Sequence, residues 1–401
     1  MSDKDEFDKF CDQIIENGNF VEFLVDNSEI VECSEPSKTM SDLLDTIRSI
    51  RSFPEESIKL SNINIAQFQI ALEDVCSVVV ERKSKKIAAG RECSEIVLWD
   101  FDLTDELYRI TNYVKRFGTL KPNIMDDNKL DEEPTLLHGH SGPVYEMVFT
   151  HNSKLLLSSS GDSTLKVWST CDGSCYGTYR ATQSPVYSVH AISREPTIFL
   201  SGCGDGVAHL WDIERTIPYR LFGGHHHDVS CVRFHPSGNY FASAGSDGRV
   251  VLWDFRQKKM VRNLKLSTQS GSTKIEFSRD GRQLLVMGSE RRISLWDMTS
   301  NSEHSCIPFE TFSSIRSAAF SPEDRHFATC SPSDSSIVVW DNPGTQLCSK
   351  VSMRNVQIQT FADKLSNISV QFIENNLILA ISKFRSQRGD TENDPYESEP
   401  G

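Results

Sequence analysis

Residues 219–254 read YRLFGGHHHDVSCVRFHPSGNYFASAGSDGRVVLWD. Taken from its end, the stretch breaks into short pieces with β character. RVVLW is a β-branched and aliphatic run closing on Trp253, the composition of a strand on a pleated, half-buried surface. YFASAG precedes it, and before that HPSGN carries the Pro, Asn and Gly that supply turn dihedrals. DVSCVRF alternates in strand fashion, and YRLFGG reads as a strand linking to the preceding unit. Four histidines, His225, His226, His227 and His235, crowd the middle. Histidine is the commonest metal ligand and a frequent general base, so their role has to be decided by the rest of the chain.

The pattern recurs outward in both directions. Six indoles, Trp99, Trp168, Trp211, Trp253, Trp296 and Trp340, are spaced by 69, 43, 42, 43 and 44 residues. Each closes a strand-like run such as TLKVW, VAHLW or SIVVW. Six residues upstream of five of them lies an acidic side chain: Asp162, Asp205, Asp247, Glu290 and Asp334. A period near 43 marks a repeat architecture, and four short strands per unit predict antiparallel blades set around an axis. Residues 57–72 and 368–382 add strand-like segments without an indole, which predicts a further blade shared by the two ends of the chain. The expectation is an all-β, seven-bladed β-propeller over residues 56–384, with an insert at 101–134 that contains DDNKLDEE (126–133). Residues 341–366 form a second long connection. Residues 1–55 have apolar side chains at helical spacing and predict a short helical extension. Residues 385–401 are polar and predict a disordered tail.

This spacing and pattern resemble the WD-repeat family of β-propellers. The resemblance implies a buried hydrogen-bond chain from the indole through a Ser or Thr and a loop histidine to the acidic turn residue. Carried onto this sequence, it assigns Trp253, Ser243, His225 and Asp247 to blade four, and Trp168, Ser158, His140 and Asp162 to blade two. Blade three keeps Ser201, Asp205 and Trp211 but has Thr182 at the histidine position. Blade six keeps Asp334 and Trp340 with Cys330 and Thr311, blade five has Val286, Glu290 and Thr268, and blade one has Cys93 at the acidic position. The chemistry is sound apart from the resemblance, because these four groups satisfy one another in series and none stays buried without a partner. His225 is therefore structural, His226 and His227 run along an exposed turn, and His235 opens the next one. No glutamate follows at HExxH spacing, and adjacent histidines on an extended chain point in opposite directions. No metal site and no cofactor are expected.

Composition narrows the function classes. The net charge of −14 opposes broad contact with phosphate backbones, and RKSKK (82–86) reads as a charged turn. No apolar run reaches the ~20 residues of a membrane span. The acidic start, MSDKDEFDKF, lacks a signal-peptide pattern, so an intracellular protein is expected. The eleven cysteines are scattered, which predicts reduced thiols, and Cys171 and Cys175 have no second pair at zinc-finger distance. There is no GxSxG and no glycine-rich phosphate loop, so a non-enzymatic binding scaffold is expected. Tyr145 and Tyr187, at equivalent positions near the start of the innermost strands, are the candidate partner contacts.

Residues 136–169 and 219–254 look further like the propeller of the WD-repeat TBP-associated subunits of TFIID, whose paralogues serve in SAGA-type coactivators. The likeness covers roughly residues 57–384, including the acidic insert and NISVQFIENNLILAISKF (367–384). It implies a nuclear scaffold that holds histone-fold TBP-associated factors and other transcription-complex subunits for RNA polymerase II initiation. It implies no sequence-specific nucleic-acid contact, no membrane association and no small-molecule substrate. Family members carry a LisH motif and a helical domain ahead of the propeller. Residues 1–55 are too few for both, which points to a shortened N-terminal region. The rival reading is a substrate receptor of a cullin–RING ubiquitin ligase, from the WDxR ending of ASAGSDGRVVLWDFR (242–256) at Arg256 and a faint F-box-like FPEES (53–57).

Overall fold

Blade two shows how a repeat becomes a sheet. Strands a to d, Val144–Phe149, Leu155–Ser160, Leu165–Ser169 and Cys175–Tyr179, pair antiparallel in chain order from the inside outward. The tight b–c turn needs a left-handed residue after its aspartate. Gly248 supplies it in blade four at φ 69°, where glycine carries no Cβ penalty, and Ser163 takes it in blade two at φ 68°.

The computed structural model describes residues 64–70, 74–81, 86–100, 124–125, 134–150, 153–192, 197–265, 274–288, 292–298, 302–308, 315, 317–330, 337–342, 365–374 and 377–384. Among these there is no helix. Blade one is Val75–Glu81, Lys86–Arg91, Ile96–Asp100 and Thr135–Leu137. Blade three is Val186–Ala191, Ile198–Cys203, Val207–Asp212 and Arg220–Gly223. Blade four is Val229–Phe234, Tyr240–Gly245, Arg249–Asp254 and Lys259–Lys265. Blade five is Lys274–Phe277, Gln283–Met287, Arg292–Asp297 and Ser302–Pro308. A sixth four-stranded sheet combines Leu365–Glu374 and Leu377–Phe384 with Asn64–Ile70 and Ile124–Met125. Blade six, Ser317–Phe320, His326–Cys330 and Ile337–Asp341, is a three-stranded sheet.

The fold is thus an all-β propeller with six complete four-stranded blades. The expectation of seven such blades differs at the three-stranded sheet, because residues 343–364, which follow its last strand, lie outside the described residues. The expected helical extension at 1–55, the acidic stretch 126–133 and the tail 385–401 lie outside them too.

Residues from opposite ends of the chain meet in the mixed sheet. Asn64–Ile70 pairs parallel with Leu377–Phe384, Asn64 opposite Leu377 and Ile70 opposite Lys383. A parallel pair cannot be closed by a tight hairpin; here the intervening blades are the connection. The innermost strands touch one another in chain order, and Leu365–Glu374 touches Val75–Glu81 of blade one.

The apolar core lies between blades rather than within them. Ala88, Ile96, Leu98 and Leu137 of blade one cluster with Val144, Met147, Leu156 and Trp168 of blade two. Leu157, Val167 and Tyr179 of blade two cluster with Val189, Phe199 and Trp211 of blade three. The same pattern joins Leu285, Ile293 and Leu295 of blade five to Phe327 and Trp340. A single repeat therefore cannot bury its own apolar face and depends on its neighbour. Trp211 and Trp168 are among the largest fully buried side chains. At about 25 cal/mol per Å² over roughly 200 Å², such an indole contributes at most about 5 kcal/mol of burial. Phe199, Phe241 and Phe327 stack across the sheet on Trp211, Trp253 and Trp340, with ring planes 8°, 19° and 13° apart.

Candidate functional site

Two regions of described residues gather polar side chains: the blade interiors beneath the b–c turns, and the channel lined by the innermost strands. In blade four the Trp253 indole N–H donates to Ser243 Oγ at 2.9 Å. Ser243 Oγ lies 2.8 Å from His225 Nε2, and His225 Nδ1 lies 3.1 Å from Asp247 Oδ1. The consistent assignment has the serine hydroxyl donating to Nε2 and the Nδ1–H donating to the carboxylate. Asp247 also accepts the backbone N–H of His226 and of Arg249. Gly245 leaves room for this arrangement, since a Cβ there would stand 2.5 Å from His225 Nδ1. Blade two repeats it. Trp168 donates to Ser158 Oγ at 2.8 Å, Ser158 Oγ is 2.8 Å from His140 Nε2, and His140 Nδ1 is 2.9 Å from Asp162 Oδ2.

Burial alone would raise both aspartates. Hydrogen bonds from the histidines and backbone N–H groups outweigh it, with the Thr164 hydroxyl adding to Asp162, and hold both below the ordinary carboxylate range. The geometry of serine, histidine and aspartate is that of a nucleophile, a base and its orienting acid. Ser158 and Ser243 are wholly buried, however, and each already accepts an indole N–H. No substrate atom can reach them, so these groups tie strands together rather than perform chemistry.

The remaining blades differ. In blade three Trp211 donates to Ser201 Oγ at 2.9 Å, and Asp205 lies by His209 of strand c rather than by a loop histidine. In blade six the Trp340 N–H donates to Thr329 Oγ1 at 2.9 Å. This corrects the expectation of Cys330 at the hydroxyl position: Phe327 pairs with Trp340, so Thr329 holds the register place of Ser243 and the hairpin is one residue longer. Asp334 lies outside the described residues. In blade five the Trp296 Nε1 has no hydrogen-bond partner, since Val286 stands at the register place of the serine.

His226 and His227 are exposed, whereas His235 is buried and joins two blades, with Nε2 donating to Gly281 O at 2.9 Å and Nδ1 2.8 Å from Ser237 Oγ. Burial takes its pKa down to about 4.

Tyr145 and Tyr187 lie side by side on neighbouring inner strands, ring centroids 5.5 Å apart, both half-buried. Burial and the nearby Asp228 carboxylate push the Tyr187 phenol up to about 12. Burial and then Cys76 and Glu92 push Tyr145 up. The pair therefore sits among acidic groups at the b–c turn end of the channel, with the Tyr145 hydroxyl close to Gly161.

Deeper in the channel lies a charged cluster that the sequence reading did not single out. Arg233 of blade four bonds Glu146 of blade two at 2.6 Å and Glu276 of blade five at 3.1 Å. Ser188 of blade three donates to Glu146 at 2.5 Å. Burial would raise Glu146, but the Arg233 charge outweighs it and lowers the group; burial prevails at Glu276 and pushes it up. One guanidinium thus spans four blades. Its sequence signal is weak, because a charged residue on an inner strand reads like any solvated strand position. At the a–b turn end a cavity of about 480 Å³ opens beside His190, Arg233, Glu276, Phe277 and Gln371. His190 accepts the backbone N–H of Phe234 at 3.2 Å, and burial and Arg233 take its pKa down to about 3.

Comparison with known proteins agrees with this architecture. Residues 132–169, 173–212, 217–254 and 305–341 match the family described as WD domain, G-beta repeat. The chain is 32% identical over 147 residues to transcription initiation factor TFIID subunit 5 of Caenorhabditis elegans, covering 37% of this chain and 22% of that protein. It is 31% identical over 173 residues to the guanine nucleotide-binding protein subunit beta of Solanum tuberosum, covering 40% of this chain and 46% of that protein. It is 28% identical over 157 residues to pre-mRNA-processing factor 19 of Bos taurus, covering 38% of this chain and 31% of that protein. The chain thus spans less than half the length of each of these relatives.

Proposed function

We propose that this chain, four segments of which match the WD domain, G-beta repeat, is a non-enzymatic interaction scaffold of the TFIID or SAGA type. In this reading residues 56–384 form one seven-bladed propeller, the three-stranded sheet being its remaining blade, after a helical extension at 1–55. The protein acts in the nucleus, where it holds histone-fold TBP-associated factors and other transcription-complex subunits for RNA polymerase II. The buried chains of blades two and four keep the ring rigid, and the exposed turns present partners with a fixed surface. The observation that carries the reading is the Tyr145–Tyr187 pair set among carboxylates at one channel mouth. Paired aromatic rings bury large area at low entropy cost, and the acidic rim favours a basic partner segment. The partial likeness to a TFIID subunit supports the choice of complex.

Arg256, exposed beyond Asp254, supports the alternative of a cullin–RING substrate receptor. One experiment separates the two. The tagged full chain and its Tyr145→Ala/Tyr187→Ala variant are purified from cells, and bound proteins are identified by mass spectrometry. TBP-associated factors are expected with the parent and depleted with the double variant. Cullin adaptors in their place, lost on Arg256→Ala, would establish the alternative.

A further inference from the structure

Blade three carries two buried polar atoms without a hydrogen bond, His209 Nε2 and Asp205 Oδ2. Thr182 stands where blades two and four have their loop histidine, and the interior is filled instead by His209 from strand c, wholly buried. That strand position, two before the indole, is Lys166 in blade two and Val251 in blade four. Cys203, at the strand place of Gly245, points at the same space. Its Sγ lies 3.2 Å from His209 Nδ1, and His209 Nε2 lies 3.4 Å from Asp205 Oδ2. One ligand atom from each residue falls within 4.8 Å of the others, and no second such group of His, Cys, Asp and Glu occurs among the described residues.

In blade four both imidazole nitrogens are spent, one on Ser243 and the other on Asp247. In blade three they are not. His209 Nε2 and Asp205 Oδ2 face each other without a hydrogen bond, with side-chain exposures of 0% and 6%. Two ligands each about 2.1 Å from a tetrahedral ion stand about 3.4 Å apart, which is the separation seen here. A neutral imidazole keeps one nitrogen lone pair, which a cation can take.

We propose that Cys203, Asp205 and His209 form a binding site for a thiophilic divalent cation of the zinc class. Sulfur, nitrogen and oxygen donors together suit zinc, whereas calcium and magnesium require shells of oxygen. One imidazole gives one nitrogen to one ion. Nε2, beside Asp205, takes the ion, and the Cys203 sulfur moves from Nδ1 to join it. The cation replaces the thiol proton, which leaves to solvent. Asp205 belongs to the b–c turn, and a water would complete the tetrahedral set. The site is distinct from the His225–His227 run, where the ring that points inward is already committed.

The test uses the full chain carrying Cys93→Ser, Cys171→Ser and Cys175→Ser, which removes the exposed thiols of the described residues. After chelator treatment it is titrated with zinc by calorimetry and with cobalt by absorption. One equivalent of zinc is expected, with proton release and a thiolate-to-cobalt charge-transfer band. Cys203→Ser is expected to abolish that band and, like Asp205→Asn, to weaken zinc binding at least about tenfold. Circular dichroism confirms that each variant is folded; where one is not, the other decides. The absence of saturable zinc binding, or binding unchanged in both variants, would overturn the proposal and leave the cluster as a purely internal contact.

Discussion

In blade four the imidazole that reaches Ser243 comes from the loop ahead of strand a; in blade three the imidazole comes from strand c, as His209. The two blades have the same strand order and the same cross-strand stacking of Phe on Trp. Their polar interiors nevertheless do different things. His225 joins a loop to strand b and to a turn 22 residues away, so its bonds staple distant segments. The Cys203, Asp205 and His209 side chains of blade three instead contact one another within one hairpin. A shared apolar frame thus tolerates replacement of the polar chain, and the freed donors become available for a ligand.

The sharpest way to break this comparison is to remove the central hydroxyl from each blade. Ser243→Ala leaves both the Trp253 N–H and His225 Nε2 buried without partners, which is expected to cost about 2–3 kcal/mol. Ser201→Ala strands the Trp211 N–H and loses only a longer contact to Cys203 Sγ at 3.6 Å, and is expected to cost less, about 1 kcal/mol. Urea unfolding at neutral pH measures both. Equal losses would mean that the loop imidazole of blade four contributes nothing to the fold.

A smaller effect separates the blades by pH. Asp247 has a lower pKa folded than its ordinary value, so its contribution is complete above the unfolded pKa of about 3.9 and fades as pH falls through the folded one. Asp247→Asn removes that contribution. The gap in melting temperature between parent and variant is expected to be widest above about pH 4 and to narrow in stronger acid. A gap that stays constant down to pH ~2 would contradict the assignment of the carboxylate form to the chain.

Much of this geometry is legible in the sequence because a sheet hairpin of fixed length converts position along the chain into position across the sheet. Counting back ten residues from Trp168, Trp211 and Trp253 lands on Ser158, Ser201 and Ser243, each of which accepts the indole N–H. The same count from Trp340 lands on Cys330, while the bond goes to Thr329; one extra hairpin residue is invisible without the pairing register. His209 escapes for another reason. The position two before the indole holds Lys, His, Val, Ser and Val in blades two to six, so no repeat pattern marks it. A joint signal existed, a histidine missing at Thr182 and one gained on strand c, but it emerges only once both are placed in one interior. The Glu146–Arg233–Glu276 cluster spans 131 residues of chain, and only the circular order of the inner strands brings it together.

Blade five offers the gentlest refinement, since it shows what remains when the polar chain is absent altogether. The Trp296 N–H has no partner, and Arg262 lies over the indole with its guanidinium carbon 5.8 Å from the ring centre. Leu284 pairs with Trp296 and Val286 with Ser294, as Phe241 pairs with Trp253 and Ser243 with Val251. Val286→Thr therefore sets a hydroxyl where blade four has one. The new bond gains about 1 kcal/mol, and burying the hydroxyl's remaining polarity offsets part of that. The expected result is a small rise in stability, below about 1 kcal/mol, read from paired thermal melts. A clear loss would show that desolvation of the hydroxyl outweighs the indole bond, and that the serines of blades two and four owe their value to the histidine rather than to the tryptophan.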